Sequence, residues 1–121
     1  MTQAAQAYGK VANKISSPRE MEADLLLTAA SQLQIIRDGW ESKRPLLNAA
    51  LDHNRKLWAL LVSSVTRPEN PLPADVRQNV ANIGIFVLKQ TMTTMANPKP
   101  ESLAPLININ RELASGLLGR A

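Results

Sequence analysis

Apolar residues recur along this chain at spacings of three and four, the pattern of helices that each bury one face. No stretch alternates β-branched and polar residues as a half-buried strand would. Five segments carry the helical pattern. Residues 2–14 place Ala4, Tyr8 and Val11 on a narrow stripe that continues to Ile15, and Gly9 weakens it. The expectation for residues 1–16 is a helix that docks loosely or needs a partner. The second segment opens on Ser17-Pro18-Arg19-Glu20, in which Ser17 can accept from an orphan N–H, Pro18 suits the first helical position and Glu20 can reach back. Met21, Leu25, Ala29, Leu33 and Ile36 then share a face, and Gly39 supplies a stop.

A third segment follows Ser42 and Pro45. Leu47, Leu51, Asn54, Trp58, Leu61 and Val65 lie on one side of it, with Leu46, Ala50, Leu57 and Val62 alongside. The Arg67-Pro68-Glu69-Asn70-Pro71 stretch ends it, because proline lacks an N–H and clashes with a continuing helix. The fourth segment runs from Pro73 to about Ala96 and has two apolar seams, one of Val76, Val80, Ile83 and Val87, the other of Ile85, Leu88, Met92 and Met95. A helix apolar on two sides is either central in a bundle or half-covered by a partner. After Asn97-Pro98-Lys99-Pro100, a last segment over 102–118 places Leu103, Leu106, Ile107, Asn110, Leu113 and Leu117 on one side, with Pro105 in the first turn and Gly116 and Gly119 loosening its end. The pattern predicts an all-α fold, a small bundle of four to five helices with proline-marked loops, forming one domain over residues 1–121.

One short echo runs across two helices. Leu51-Asp52-His53-Asn54-Arg55-Lys56-Leu57 and Ile107-Asn108-Ile109-Asn110-Arg111-Glu112-Leu113 both read apolar, Asp or Asn, any, Asn, Arg, any, Leu. Asn54 and Asn110 occupy positions where the period asks for apolar residues, and a buried amide is costly unless hydrogen-bonded. Two roles fit: a polar pair bridging helices inside the bundle, or a bond to a partner's backbone. Arg55 and Arg111 can pair with Asp52 and Glu112 or with a partner carboxylate. Trp58 suits core packing. Trp40, placed by the pattern in a loop after Gly39, suits a core edge or a binding hot spot. Met92 and Met95 suit either gap-filling or an adaptable apolar surface.

Composition narrows the chemistry. The 121 residues contain no cysteine and a single histidine, His53, so disulfides, thiolate catalysis, zinc clusters and a paired-histidine relay have no material. No Gly-rich phosphate loop or nucleophile motif occurs. No catalytic, cofactor-binding or metal site is expected. The formal net charge is +4, but the fourteen Lys and Arg are scattered, and aromatic residues make up 3%. That argues against a basic face or a base-stacking platform and disfavours direct RNA contact. The N-terminal residues lack a signal-peptide core, and no apolar run approaches the length of a membrane span, so the expected location is the cytoplasm.

These residues carry a family likeness. Tyr8 in its early stripe, Ser17-Pro18-Arg19-Glu20-x-Glu22, Leu51-Asp52-x-Asn54-Arg55-x-Leu57-Trp58, Asn70-x-Leu72-Pro73-x-x-Val76-Arg77 and Leu106-Ile107-x-Ile109-Asn110-Arg111-x-Leu113 with Gly116-Leu117 stand in order across nearly the whole chain. In this the sequence resembles the FlaF family of flagellar biosynthesis regulators of α-proteobacteria. The resemblance implies a role in flagellin synthesis or secretion, with flagellin as partner and the translational regulator FlbT acting alongside. A helical protein with a spare apolar face can shield the amphipathic terminal helices of flagellin by helix-in-groove binding. The alternative is a post-transcriptional regulator acting on flagellin mRNA together with FlbT. On the binding reading, Ile85, Leu88, Met92, Leu113 and Leu117 are expected to form a groove between the fourth and last helices, with Asn54, Arg55, Trp58, Asn110 and Arg111 as further partner contacts.

Overall fold

In the computed structural model, which describes residues 18–119, four long helices pack together: α1 (Pro18–Asp38), α3 (Leu47–Val65), α4 (Ala74–Ala96) and α5 (Leu103–Leu117). A single turn, α2 (Trp40–Lys43), and a 3-10 turn (Arg44–Leu46) join α1 to α3, and a second 3-10 turn (Pro100–Ser102) leads into α5. No strand occurs among the described residues. The N-terminal stripe and Ser17 of the expected capping box lie outside them.

The breaks fall where the backbone chemistry requires. Gly39 donates its N–H to the Ile35 carbonyl and closes α1. Trp40 then starts α2 rather than lying in a loop; it packs half-buried against the core, with the Arg44 guanidinium 5.6 Å from the centre of its ring. Pro73, in an extended conformation, stands just before α4. Between α3 and α4, Asn70 acts as the fastener: its Nδ2 donates to the Ser64 carbonyl and hydroxyl, each at 3.2 Å, and its Oδ1 accepts from the Leu72 N–H at 3.0 Å. Arg77 Nη1 ties α4 back to the Arg67 carbonyl at 3.2 Å. The Asn70-x-Leu72-Pro73-x-x-Val76-Arg77 motif is therefore largely a loop-closing device.

α1 packs most extensively on α5 and also on α3, while α3 packs most extensively on α4. The centre of the core is Trp58 of α3, fully buried among Leu26 and Leu33 of α1, Leu51, Val87 of α4, and Leu103, Leu106 and Ile107 of α5. The six residues expected on the inner side of α3 are all buried. On α1 the buried line is Ala23, Leu26, Ala29, Ala30, Leu33 and Ile36. Met21 and Leu25, which the pattern assigned to that same face, are instead nearly half exposed. On α4 the buried line is Val80, Gly84, Val87, Thr91 and Thr94, whereas Val76 is exposed and Ile83 half-buried. The two threonines are accommodated because each hydroxyl donates to the carbonyl four residues back, Thr91 to Val87 and Thr94 to Gln90, both at 2.7 Å.

The α3–α4 contact depends on the missing side chain at Gly84. A Cβ there would stand 2.4 Å from Cγ2 of Val62 and 3.6 Å from Cε3 of Trp58. Glycine in mid-helix is unfavourable by ~1 kcal/mol relative to alanine. Here it allows α4 to lie close over the tryptophan.

Candidate functional site

The two asparagines of the echo meet in the core. Asn110 Nδ2 donates to Asn54 Oδ1 at 2.7 Å and to the Leu26 carbonyl at 3.2 Å, and Asn110 Oδ1 accepts from the Trp58 indole N–H at 2.9 Å. Asn54, Trp58 and Asn110 are completely buried. One amide thus joins α5 to α3 and α1, and all its recorded bonds are internal. The arginines that follow the two asparagines point elsewhere. Arg55 donates to Asp52 Oδ1 from Nε and Nη2, at 3.2 and 2.7 Å, and Lys56 reaches the other carboxylate oxygen at 3.0 Å. These bonds hold the Asp52 carboxyl below its ordinary range. The cluster is solvent-exposed and contributes little to stability. Arg111 is exposed on α5.

The expected groove between the fourth and last helices does not gather its five residues in one place of equal exposure. α4 packs chiefly on α3 and α5 chiefly on α1, and the two touch each other only slightly. Ile85 and Met92 stand well out from α4, and Leu88 is half-buried. Leu113 and Leu117 are partly buried against the core.

A groove exists instead along α1 and α3. These helices run antiparallel, so the start of one faces the end of the other. At one end Pro18, Met21, Glu22 and Leu25 of α1 and Leu57, Leu60 and Leu61 of α3 line a depression of about 290 Å³. At the other end Gln32, Ile35 and Ile36 of α1, with Leu46, Ala49, Ala50 and His53, line one of about 380 Å³. Between them the His53 imidazole and Gln32 amide are hydrogen-bonded across the helices, Nδ1 to Oε1, at 2.9 Å. Met21, Leu25, Ile35, Leu46 and Leu60 are between 45% and 70% exposed on this face. Exposed apolar side chains grouped around a depression mark a candidate docking surface. Glu22 is the one acid in the lining, and partial burial raises its carboxyl above the ordinary range against the lowering influence of Arg19.

The sequence did carry a signal for this face. Leu25-Leu26, Ile35-Ile36, Leu46-Leu47 and Leu60-Leu61 are adjacent apolar pairs. Neighbours on a helix point about 100° apart, so a narrow core face cannot hold both. In all four pairs the second residue is buried and the first exposed.

Among the described residues, no group of His, Asp and Glu gathers as a metal site, and no helix is long and apolar enough to cross a membrane. The chain has no match among curated proteins or solved structures. The model of one family, described as flagellar protein FlaF, matches residues 4–117. The helical architecture, the loop-closing asparagine and the buried echo pair are thus those of a chain that belongs to the FlaF family of flagellar proteins.

Proposed function

We propose that this flagellar protein is a non-enzymatic chaperone of flagellin, and that the α1–α3 groove takes an amphipathic helix of flagellin and shields it before assembly. The observation that carries this reading is the row of half-exposed apolar side chains on two antiparallel helices, Met21, Leu25 and Ile35 facing Leu46 and Leu60. A helix laid between two helices presents its own side chains at intervals of three and four to both ridges. Each half-exposed leucine or isoleucine that it covers contributes roughly 1 kcal/mol. The internal bonding of Asn54 and Asn110 leaves the outer surface for the partner, so recognition is a matter of apolar fit.

The test is capture of flagellin by the full chain and by two pairs of variants. Leu25→Asp and Leu60→Asp place charges in the groove. Ile85→Asp and Met92→Asp place them on the outer face of α4. Loss of capture in the first pair alone is the expected result. Capture that survives both groove variants overturns the assignment, and loss confined to the α4 pair moves the site there.

A further inference from the structure

The α1–α3 groove is not apolar along its whole length. The Gln32–His53 bridge crosses it, in a register that both helices share. Gln32 lies seven residues after Leu25 on α1, and His53 lies seven residues before Leu60 on α3. Seven residues make close to two turns and about 10 Å, so the bridge stands on the same face as Leu25 and Leu60, two turns along. Ile35 and Ala49, in the second depression, lie ten and eleven residues from the same two leucines, about 15–16 Å away. A helix laid along the groove brings its own residues to one face at matching intervals. The residue that enters between Leu25 and Leu60 is followed seven positions later by one over the bridge, and eleven positions later by one over Ile35 and Ala49.

The bridge leaves polar groups to be met. Gln32 Oε1 accepts, so His53 Nδ1 carries the hydrogen; the ring Nε2 remains an acceptor and the Gln32 amide nitrogen a donor. Both side chains are exposed. A leucine laid over them would take away their water and return no bond, whereas an amide side chain offers both a donor and an acceptor. The first depression is also marked by charge. Glu22 lines it, three residues before Leu25, partly buried, whereas neither acid nor Lys or Arg lines the second. A covering helix removes more water from Glu22, and a lysine or arginine one turn before its first apolar contact offsets that loss.

We propose that the helix this groove takes has an interrupted apolar face: two apolar contacts eleven residues apart, an amide side chain seven residues after the first of them, over Gln32 and His53, and a basic residue one turn before it, beside Glu22. The inference rests on the groove reading above and deepens it by giving the partner's pattern. A helix with an unbroken apolar face is the one the bridge rejects.

The test uses two labelled synthetic helices of about 20 residues, long enough to cover both depressions. They differ only at the position over the bridge, one carrying glutamine and the other leucine, and each is titrated by fluorescence anisotropy into the full chain. The glutamine helix is expected to bind about tenfold more tightly. Gln32→Ala, which removes the bridge without adding apolar surface, is expected to abolish the difference, and Gln32→Leu with His53→Leu to reverse it. Replacing the basic residue of the helix is expected to weaken binding to the native chain and not to Glu22→Gln. Equal binding of the two helices by the native chain overturns the proposal, as does a preference for glutamine that persists in both bridge variants. Failure of both helices to bind overturns it too, while flagellin capture that is lost in Leu60→Asp then keeps the groove reading. Selective binding of the glutamine helix without capture of flagellin leaves the interrupted face standing and removes flagellin as its source.

Discussion

Asn110 donates to Asn54 at 2.7 Å, and the two residues hold the same place in the repeated apolar-x-x-Asn-Arg-x-Leu pattern of α5 and α3. The pair is not symmetric. Asn110 serves three groups, Asn54, the Leu26 carbonyl and the Trp58 indole, whereas Asn54 Nδ2 is buried without a hydrogen-bond partner among the described residues. An unsatisfied buried polar group costs roughly 1–3 kcal/mol. Asn110→Ala is expected to destabilise the fold by about 3 kcal/mol, and Asn54→Ala by distinctly less. Chemical denaturation of both variants checks the order, and equal losses contradict it.

Gly84→Ala reverses an ordinary rule. Replacing a mid-helix glycine by alanine usually stabilises by up to ~1 kcal/mol. Here the new methyl would overlap Cγ2 of Val62, so a loss of about 1–3 kcal/mol is expected. Val62→Ala in the same chain is expected to recover most of it. A double-mutant cycle gives the coupling, and a coupling near zero would show that α4 simply moves away.

Two carboxylates predict opposite responses to pH. Glu22 has a folded pKa above its unfolded value through burial. The folded state then holds more protons over the window between the two values, so stability falls as pH rises through it. Glu22→Gln is accordingly expected to raise the melting temperature at pH 7 and to have little effect near pH 3, below both values. Asp52 has a folded pKa below its unfolded value because Arg55 and Lys56 bond its charged form. Its contribution is present above the unfolded pKa and is lost as pH falls through the folded one, so Asp52→Asn weakens the fold at neutral pH and not in strong acid. Melting curves at pH 7, near pH 3 and in stronger acid separate the cases.

Adjacent leucines on α3 predict opposite phenotypes. Leu60 is 70% exposed and Leu61 is buried. Leu60→Asp is expected to leave the melting temperature nearly unchanged while abolishing flagellin capture. Leu61→Asp buries a charge beside the core and is expected to cost several kcal/mol. Circular dichroism melts alongside capture assays make the distinction, and equal destabilisation would place Leu60 inside the fold.

The helices were legible in the chain because each is a local matter. The prolines at 45, 68, 71, 73, 98 and 100 and Gly39 bound segments whose apolar spacing is helical, and the observed ends lie within a few residues of those expected. The inner side of α3 was legible as well, since six residues at one spacing include Trp58 and leave a single choice of face. On α1 and α4 the apolar residues exceed one stripe, and periodicity alone assigned Met21 and Leu25 to the wrong side. The expected partner groove failed to assemble for a similar reason: helix faces can be read from spacing, but not which helix lies beside which.

What the sequence by itself determined is the all-α class, the absence of materials for thiol or paired-histidine chemistry and a family likeness carried by ordered motifs. Each of these is a property of residue types and their spacing along one helix. Only the tertiary structure decided that Asn54 and Asn110 bond to each other, that Gly84 makes room for Val62, and that exposed Met21, Leu25, Ile35, Leu46 and Leu60 border depressions between α1 and α3. Those facts depend on contacts between residues as far as 56 positions apart. Helical periodicity carries no information at that range. Burial is settled there by which neighbour fills the space, and of two adjacent apolar residues only one can face it.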